Sequence, residues 1–297
     1  MSESSRKLLV TGATGKTGKY VVRRLRERGE QVRSLVHRED ERSAKLAAAG
    51  AEIVVADMLD LAAVAAATRD ISAAYFTYPI RPGLLEATTI FAQAAAESGV
   101  SAVVNMSQIS ARRDAASKAA RQHWLAERIL DWSPVPVTHL RPTFFAEWLV
   151  TNLQPDGTLP LPFGEGRHAP IAAEDQARVI TAILEDPAPH AGQAYPLFGP
   201  TEMNHYEIAQ EMSKALGRPV TYRPISIDEF TERLRDRGFD EHIIQHLRAV
   251  AIDYRNGLFA GTNDIVKTLG GTEPQSVQEY VTRNKKHYDD RSTITSR

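Results

Sequence analysis

The sequence predicts a doubly wound α/β fold built on a parallel sheet, and three observations carry that reading. Short apolar runs alternate with Ala-rich segments of helical spacing through the first half, the first run enters a glycine-rich turn, and the pattern changes after about residue 150. Runs buried on both faces and joined through helices mark a parallel sheet covered on both sides. The runs are 7–12 (KLLVTG), 31–36 (QVRSLV), 52–57 (EIVVAD), 73–78 (AAYFTY), 102–107 (AVVNMS) and 137–142 (VTHLRP). In the helix after the first run, Val21 and Leu25 share a face while Arg23, Arg24, Glu27 and Arg28 point to water.

Beyond residue 150 the stretch 154–170 is rich in Pro and Gly and reads as a long loop. Helices are expected at 173–186, 205–217, 227–238, 240–257 and 273–288, the last with Pro274 in its first turn, and strands at 193–199 and 219–224. The polar end, 289–297, reads as frayed. The expected division is a dinucleotide-binding sheet domain over 1–150 and a smaller, mostly helical lobe over 151–297, segments of which can return to the sheet.

Composition narrows the function. With 36 Lys and Arg against 37 Asp and Glu the formal net charge is −1, so there is no general attraction to nucleic acid or to an anionic membrane. The absence of cysteine excludes disulfides, thiolate catalysis and Cys-ligated metal, and no metal site is expected. No apolar stretch is long enough to span a bilayer and no apolar leader follows the polar start, so a cytoplasmic protein is expected. The oligomeric state is open, and a homodimer is compatible with the sequence.

Gly12, Gly15 and Gly18 form G-x-x-G-x-x-G between the first strand and the first helix. Gly12 permits the tight turn, Gly15 lets backbone approach a pyrophosphate, and Gly18 allows close helix–strand packing. The helix N-terminus then offers free N–H groups to phosphate. Thr11, Thr14 and Thr17 add hydroxyls, and Lys16 adds a cation. The bland alternative is an ordinary glycine-rich turn, but the position at the head of an alternating strand–helix series favours a bound dinucleotide and a Rossmann-type domain.

The residue ending the second strand, ~20 positions beyond the glycines, meets the adenosine ribose in such folds. Here His37 and Arg38 come first, with Glu39 and Asp40 just behind. The basic pair favours NADP(H), and the carboxylates leave NAD(H) open. Asp57 and Met58 close the third strand near the adenine, although Asp57 and Asp60 also suit caps for the helix beginning at 60. Thr77, Tyr78, Pro79, Ser107 and Pro142, at the ends of the fourth, fifth and sixth strands, should line the cofactor's path, with Pro142 breaking the sixth strand's pairing.

None of the nine tyrosines is followed four residues on by lysine, so the Tyr-x-x-x-Lys pair of carbonyl-reducing short-chain dehydrogenases is absent. The corresponding helix offers His123 and Glu127 at i and i+4, with Lys118 a turn earlier. His123 is the candidate proton donor; the competing reading is a half-buried histidine bonded to Glu127. Thr143, Phe144, Phe145 and Trp148 are candidate walls of a substrate pocket, joined more distantly by Phe163 and Tyr195, though aromatics so placed also serve simply as core.

With these residues in view the chain resembles the NmrA-like group of atypical short-chain dehydrogenases, including its NAD(P)H-dependent quinone-oxidoreductase-like members. The resemblance is carried by VTGATGKTG, SLVHRED, VVADMLD, NMSQISA and RQHWLAERIL…VPVTHLRPTFFAEW, and by the C-terminal APIAAEDQARVI…GRPVTY, over nearly the whole chain. It implies an NADP-preferring Rossmann domain with a small lobe covering the substrate. The family often carries arginine directly after the second strand's LV, where this chain has His37 with Arg38 next. It also implies two possible functions: reduction of a small apolar acceptor (quinone, enone or carbonyl), or binding of the dinucleotide as a redox-sensing regulator with little or no turnover.

Overall fold

The computed structural model describes residues 6–289; the tail beyond, most of the stretch read as frayed, lies outside the described residues. The six apolar runs become β1 (Lys7–Val10), β2 (Gln31–Val36), β3 (Glu52–Val55), β4 (Ala73–Phe76), β5 (Ala102–Met106) and β6 (Val137–Pro142). They are joined through α1 (Gly18–Glu27), α2 (Glu41–Ala48), α3 (Leu61–Thr68), α4 (Leu84–Glu97) and α5 (Lys118–Trp132). After α6 (Glu147–Asn152) come β7 (Thr158–Leu161), β8 (Arg167–His168), α7 (Ala173–Glu185), β9 (Ala194–Leu197), β10 (Met203–Asn204) and α8 (His205–Leu216). The chain continues through β11 (Thr221–Pro224), α9 (Ile227–Asp236), α10 (Glu241–Arg255), α11 (Ile265–Gly270), α12 (Val277–Arg283) and α13 (Lys285–Asp289).

The main sheet has the order β3-β2-β1-β4-β5-β6-β9, parallel throughout. The order reverses between β1 and β4, and in open α/β sheets that switch point opens the crevice where ligands bind, outside the carboxyl ends of the strands. Two apolar layers flank the sheet. One joins α1 and α7 to one face through Val21, Leu25, Ile180 and Leu184; the other sets Val64, Phe91 and Leu130 against the opposite face. A third core, around Leu159, Met212, Phe230 and Tyr254, belongs to the smaller lobe.

The lobes do not part at a single point in the sequence. Ile171, α7, Leu197 of β9 and Val266 of α11 pack in the sheet's own core, so the second half crosses back twice. The stretch read as loop holds β7 and β8, whose partners β11 and β10 come later in the chain. The helix expected at 273–288 is two, α12 and α13, and begins at Val277: Ser276 caps α12 by accepting the Glu279 N–H, while Glu279 accepts back from the Ser276 N–H. Pro274 therefore precedes the cap. Pro142 does not break pairing; it stands opposite Leu197, and its carbonyl accepts the Ile109 N–H.

Candidate functional site

At the switch point, Gly12 has φ of +56°, and a Cβ there would lie 2.6 Å from the Thr77 methyl. A Cβ on Gly18 would meet the Gly12 carbonyl oxygen at 2.3 Å, so the first turn of α1 rests directly on the loop backbone. The Gly15 N–H donates to that same oxygen at 2.8 Å. Thr17, at the N-cap position, makes no side-chain cap, and the first turn carries no acidic residue. The Lys19 and Tyr20 N–H groups turn back to the Gly15 and Thr17 carbonyls, at 3.4 and 3.0 Å, and the helix presents its positive dipole end to whatever lies outside β1. This cradle fits a pyrophosphate: Gly12, Thr14, Gly15 and Lys16 surround the approach, and no acidic residue in the helix's first turn opposes an anion.

The threonines do more holding than reaching. Thr11 is fully enclosed; its hydroxyl accepts the Thr77 N–H at 2.8 Å and donates to the Thr77 carbonyl at 3.0 Å, tying β1 to β4. Thr17 donates to Gln176 of α7 at 3.5 Å. These two are positioning residues, which corrects the expectation of direct contact. Desolvation lowers the Lys16 pKa, with Glu147 countering that shift. Sequence reasoning missed Glu147: its half-buried carboxyl, raised in pKa by desolvation, accepts the Ala173 N–H at 3.1 Å and so caps α7, close enough to Lys16 to act on its charge. Its place in a short helix gave no sign of that partner.

At the adenosine end, His37 and Arg38 are exposed just beyond β2. Asp40 caps α2 and is hydrogen-bonded by Arg42, which holds its carboxyl down at about 2. Arg38 keeps only a 3.8 Å approach to Asp40, so its guanidinium is available to a phosphate. Asp57 is exposed and accepts the Leu59 N–H at 3.0 Å, and Asp60 caps α3. Met58 and Tyr78 are buried in the core, against the expectation of lining residues; the Tyr78 hydroxyl donates to the Pro82 carbonyl and secures its own loop.

At the other end of the strand edge the structure overturns the reading of His123. It is 6 % exposed, faces His246 of α10, and desolvation pushes its pKa down to about 4. A neutral, enclosed imidazole is not a proton donor tuned near neutrality. Glu127 is not its partner either: the carboxylate is fully buried and receives both arms of the Arg141 guanidinium, at 2.8 and 2.5 Å. Phe144 packs among Trp148, Phe163, His168, Tyr254 and Phe259, making it part of the small lobe's aromatic core. Phe145 bridges to Ile171. Tyr195 bonds to His190, before β9 at the far end of the sheet, and so lies away from the site. Ser107 and Thr143, at the ends of β5 and β6, are enclosed hydroxyls without partners.

The segment after β5 is clamped to α10. Arg112 grips Asp253 with two hydrogen bonds, at 2.9 and 2.7 Å, and the Ser117 hydroxyl lies 2.8 Å from His246 Nδ1. Gln245 accepts the Lys118 N–H and donates to the Ala116 carbonyl. This clamp ties the segment between β5 and α5 to α10 of the small lobe. Among the described residues, no cluster of three His, Asp or Glu could hold a metal, and no helix is long and apolar enough to cross a membrane.

Comparison with known proteins agrees with this architecture. The chain is 28% identical over 278 residues to an NAD(P)H azoreductase of Xenophilus azovorans, covering 92% of this chain and 96% of that one. In fold it matches an NADPH-dependent quinone oxidoreductase of Escherichia coli solved with NADPH, at TM-score 0.83 and 23% identity over 94% of this chain and 99% of that one. It also matches NmrA, a negative transcriptional regulator solved with NADP, at TM-score 0.80 and 16% identity over 99% and 100% of the two chains. Oxidoreductases and regulators thus share this fold. The NmrA-like family's sequence model matches residues 4–280, and the chain belongs to the NmrA-like family.

Proposed function

We propose that the protein is an NADPH-dependent oxidoreductase that reduces a small apolar acceptor such as a quinone, an enone or a carbonyl. The observation that carries this reading is the uncapped, acid-free N-terminus of α1 set on a glycine cradle at the switch point. Gly12, Thr14, Gly15 and Lys16 would hold the pyrophosphate, and Arg38 the 2′-phosphate. When bound, NADPH would supply a hydride, and Ser107, Pro142 and Thr143 at the strand edge would line its path. The small lobe, clamped to the segment after β5 through Arg112–Asp253, would shield that end from water. The azoreductase and quinone-oxidoreductase relatives support a small acceptor with low-lying acceptor orbitals, for which weak acid catalysis suffices.

A second reading, a dinucleotide-occupied regulator with little turnover, is favoured by the enclosed state of His123 and the missing Tyr–Lys pair. Fluorescence titration with NADPH and NADH, followed in the same cell by a quinone, separates the two. Tight NADPH binding with turnover supports the reductase; tight binding without turnover on any acceptor supports the regulator.

A further inference from the structure

Without a Tyr–Lys pair, and with His123 neutral and enclosed, a hydrogen-bond donor for the acceptor has to come from elsewhere on the strand edge. Ser107 is 4 % and Thr143 3 % exposed, and neither hydroxyl has a hydrogen-bond partner. Their backbones extend the strands: the Ser107 N–H donates to Leu140, that of Ile109 to Pro142 and that of Thr143 to Leu197. Along β5 and β6 side chains alternate between faces. Asn105 bonds His139, His139 bonds Asp131 of α5, and Arg141 bonds Glu127 of α5. Ser107 and Thr143 are the next positions of these two rows, so they close the α5 side of the sheet at its carboxyl edge.

Enclosed hydroxyls without partners cost stability, and a pair of them at one strand edge calls for a ligand that satisfies both. We propose that Ser107 and Thr143 form a two-donor site for the heteroatom of the hydride acceptor, in place of the absent Tyr–Lys pair. The proposal rests on the reductase reading. With a quinone, the acceptor takes a hydride (two electrons and one hydrogen) from NADPH, charge gathers on its oxygen, and a proton from water completes the hydroquinone. Two O–H donors within reach of that oxygen would stabilise the charge as it forms. Both hydroxyls are closed to solvent in this structure, so the acceptor reaches them as neighbouring side chains give way.

The test uses the full chain and its Ser107→Ala, Thr143→Val and Thr143→Ser variants. Thermal unfolding without ligand comes first: deleting either hydroxyl should raise Tm by about 2 °C, the sign of a functional group held at the expense of stability. A fall in Tm for both would mean that the hydroxyls are satisfied structurally, and would overturn the proposal. Binding of 4-nitrophenolate, an oxyanion probe read by its absorbance, should weaken about tenfold in Ser107→Ala and in Thr143→Val and stay within about twofold in Thr143→Ser. Nitrobenzene, which lacks the oxyanion, should bind all four proteins alike. Equal phenolate affinity across the set overturns the donor pair whether or not the protein turns over. Absence of quinone reduction by the unsubstituted protein sinks the reductase reading instead, and a loss of NADPH affinity in both variants would reassign the hydroxyls to the cofactor.

Discussion

The phosphate end of the crevice and the small lobe are built from different material. The phosphate end is backbone: a carbonyl at Gly12, N–H groups of α1, and glycines that let them meet. The small lobe is held by side chains drawn from distant segments, with His123 against His246, Arg112 against Asp253, and Phe144 among five rings. The backbone end tolerates little change in shape, whereas a region held by side-chain contacts can change residue by residue while the glycine cradle stays fixed.

The contrast can be broken at its rigid end first. Gly18→Ala puts a Cβ into the Gly12 carbonyl, and should destabilise the fold by about 3 kcal/mol and abolish NADPH binding, read by denaturant melts and cofactor fluorescence. Retained binding would mean that the loop is not the cradle. Arg141→Ala leaves Glu127 buried and charged, with only the longer 3.6 Å approach of Arg128. It should cost about 3 kcal/mol in melts while NADPH affinity survives, because the loss is at the sheet–α5 contact and not at the phosphates.

Four buried histidines, His123, His168, His205 and His246, give the small lobe and its contact with α5 a pH signature. Desolvation lowers His123 and His246 to about 4, His205 to about 3, and His168 well below its ordinary value. All four are neutral in the folded chain but take up protons in the unfolded chain below its ordinary 6.5. Their contribution is fully present above that pH and is lost as pH falls through about 4, so Tm should drop steadily on acidification across that window. A flat profile between pH 6.5 and 4 would contradict the burial.

Smaller effects sharpen the ends separately. Arg38→Ala should weaken NADPH about tenfold and NADH less than twofold in fluorescence titrations, since only one cofactor carries the 2′-phosphate. Equal losses would remove Arg38 from that role. His123→Leu should leave kcat within about twofold, where a true proton donor would cost about a hundredfold.

How much of this was legible follows the same division. The glycine cradle sits in seven consecutive residues, and its chemistry is local, so G-x-x-G-x-x-G after an apolar run was enough to find it. Strands β2 and β6 fall where their apolar runs end, because parallel strands buried on both faces carry their own signal. The pieces β7 and β8 were hidden because each becomes a strand only when β11 or β10 arrives. Likewise His123 and Glu127 stand one turn apart on α5 and invite pairing, yet α10 encloses the first and Arg141 claims the second. Spacing reports which residues share a face; it is silent on what a later segment lays over that face.

The central claim is that this cradle serves hydride transfer. The measurement that tests it most directly follows deuterium from stereospecifically labelled [4-2H]NADPH during reduction of an enone probe, with product and cofactor read by mass spectrometry. The account predicts that label from one face of the nicotinamide appears on the enone's β-carbon, at a rate tied to cofactor oxidation. NADPH bound tightly but left intact beside quinones, enones and carbonyls alike would contradict it, and would make the protein a dinucleotide-binding regulator.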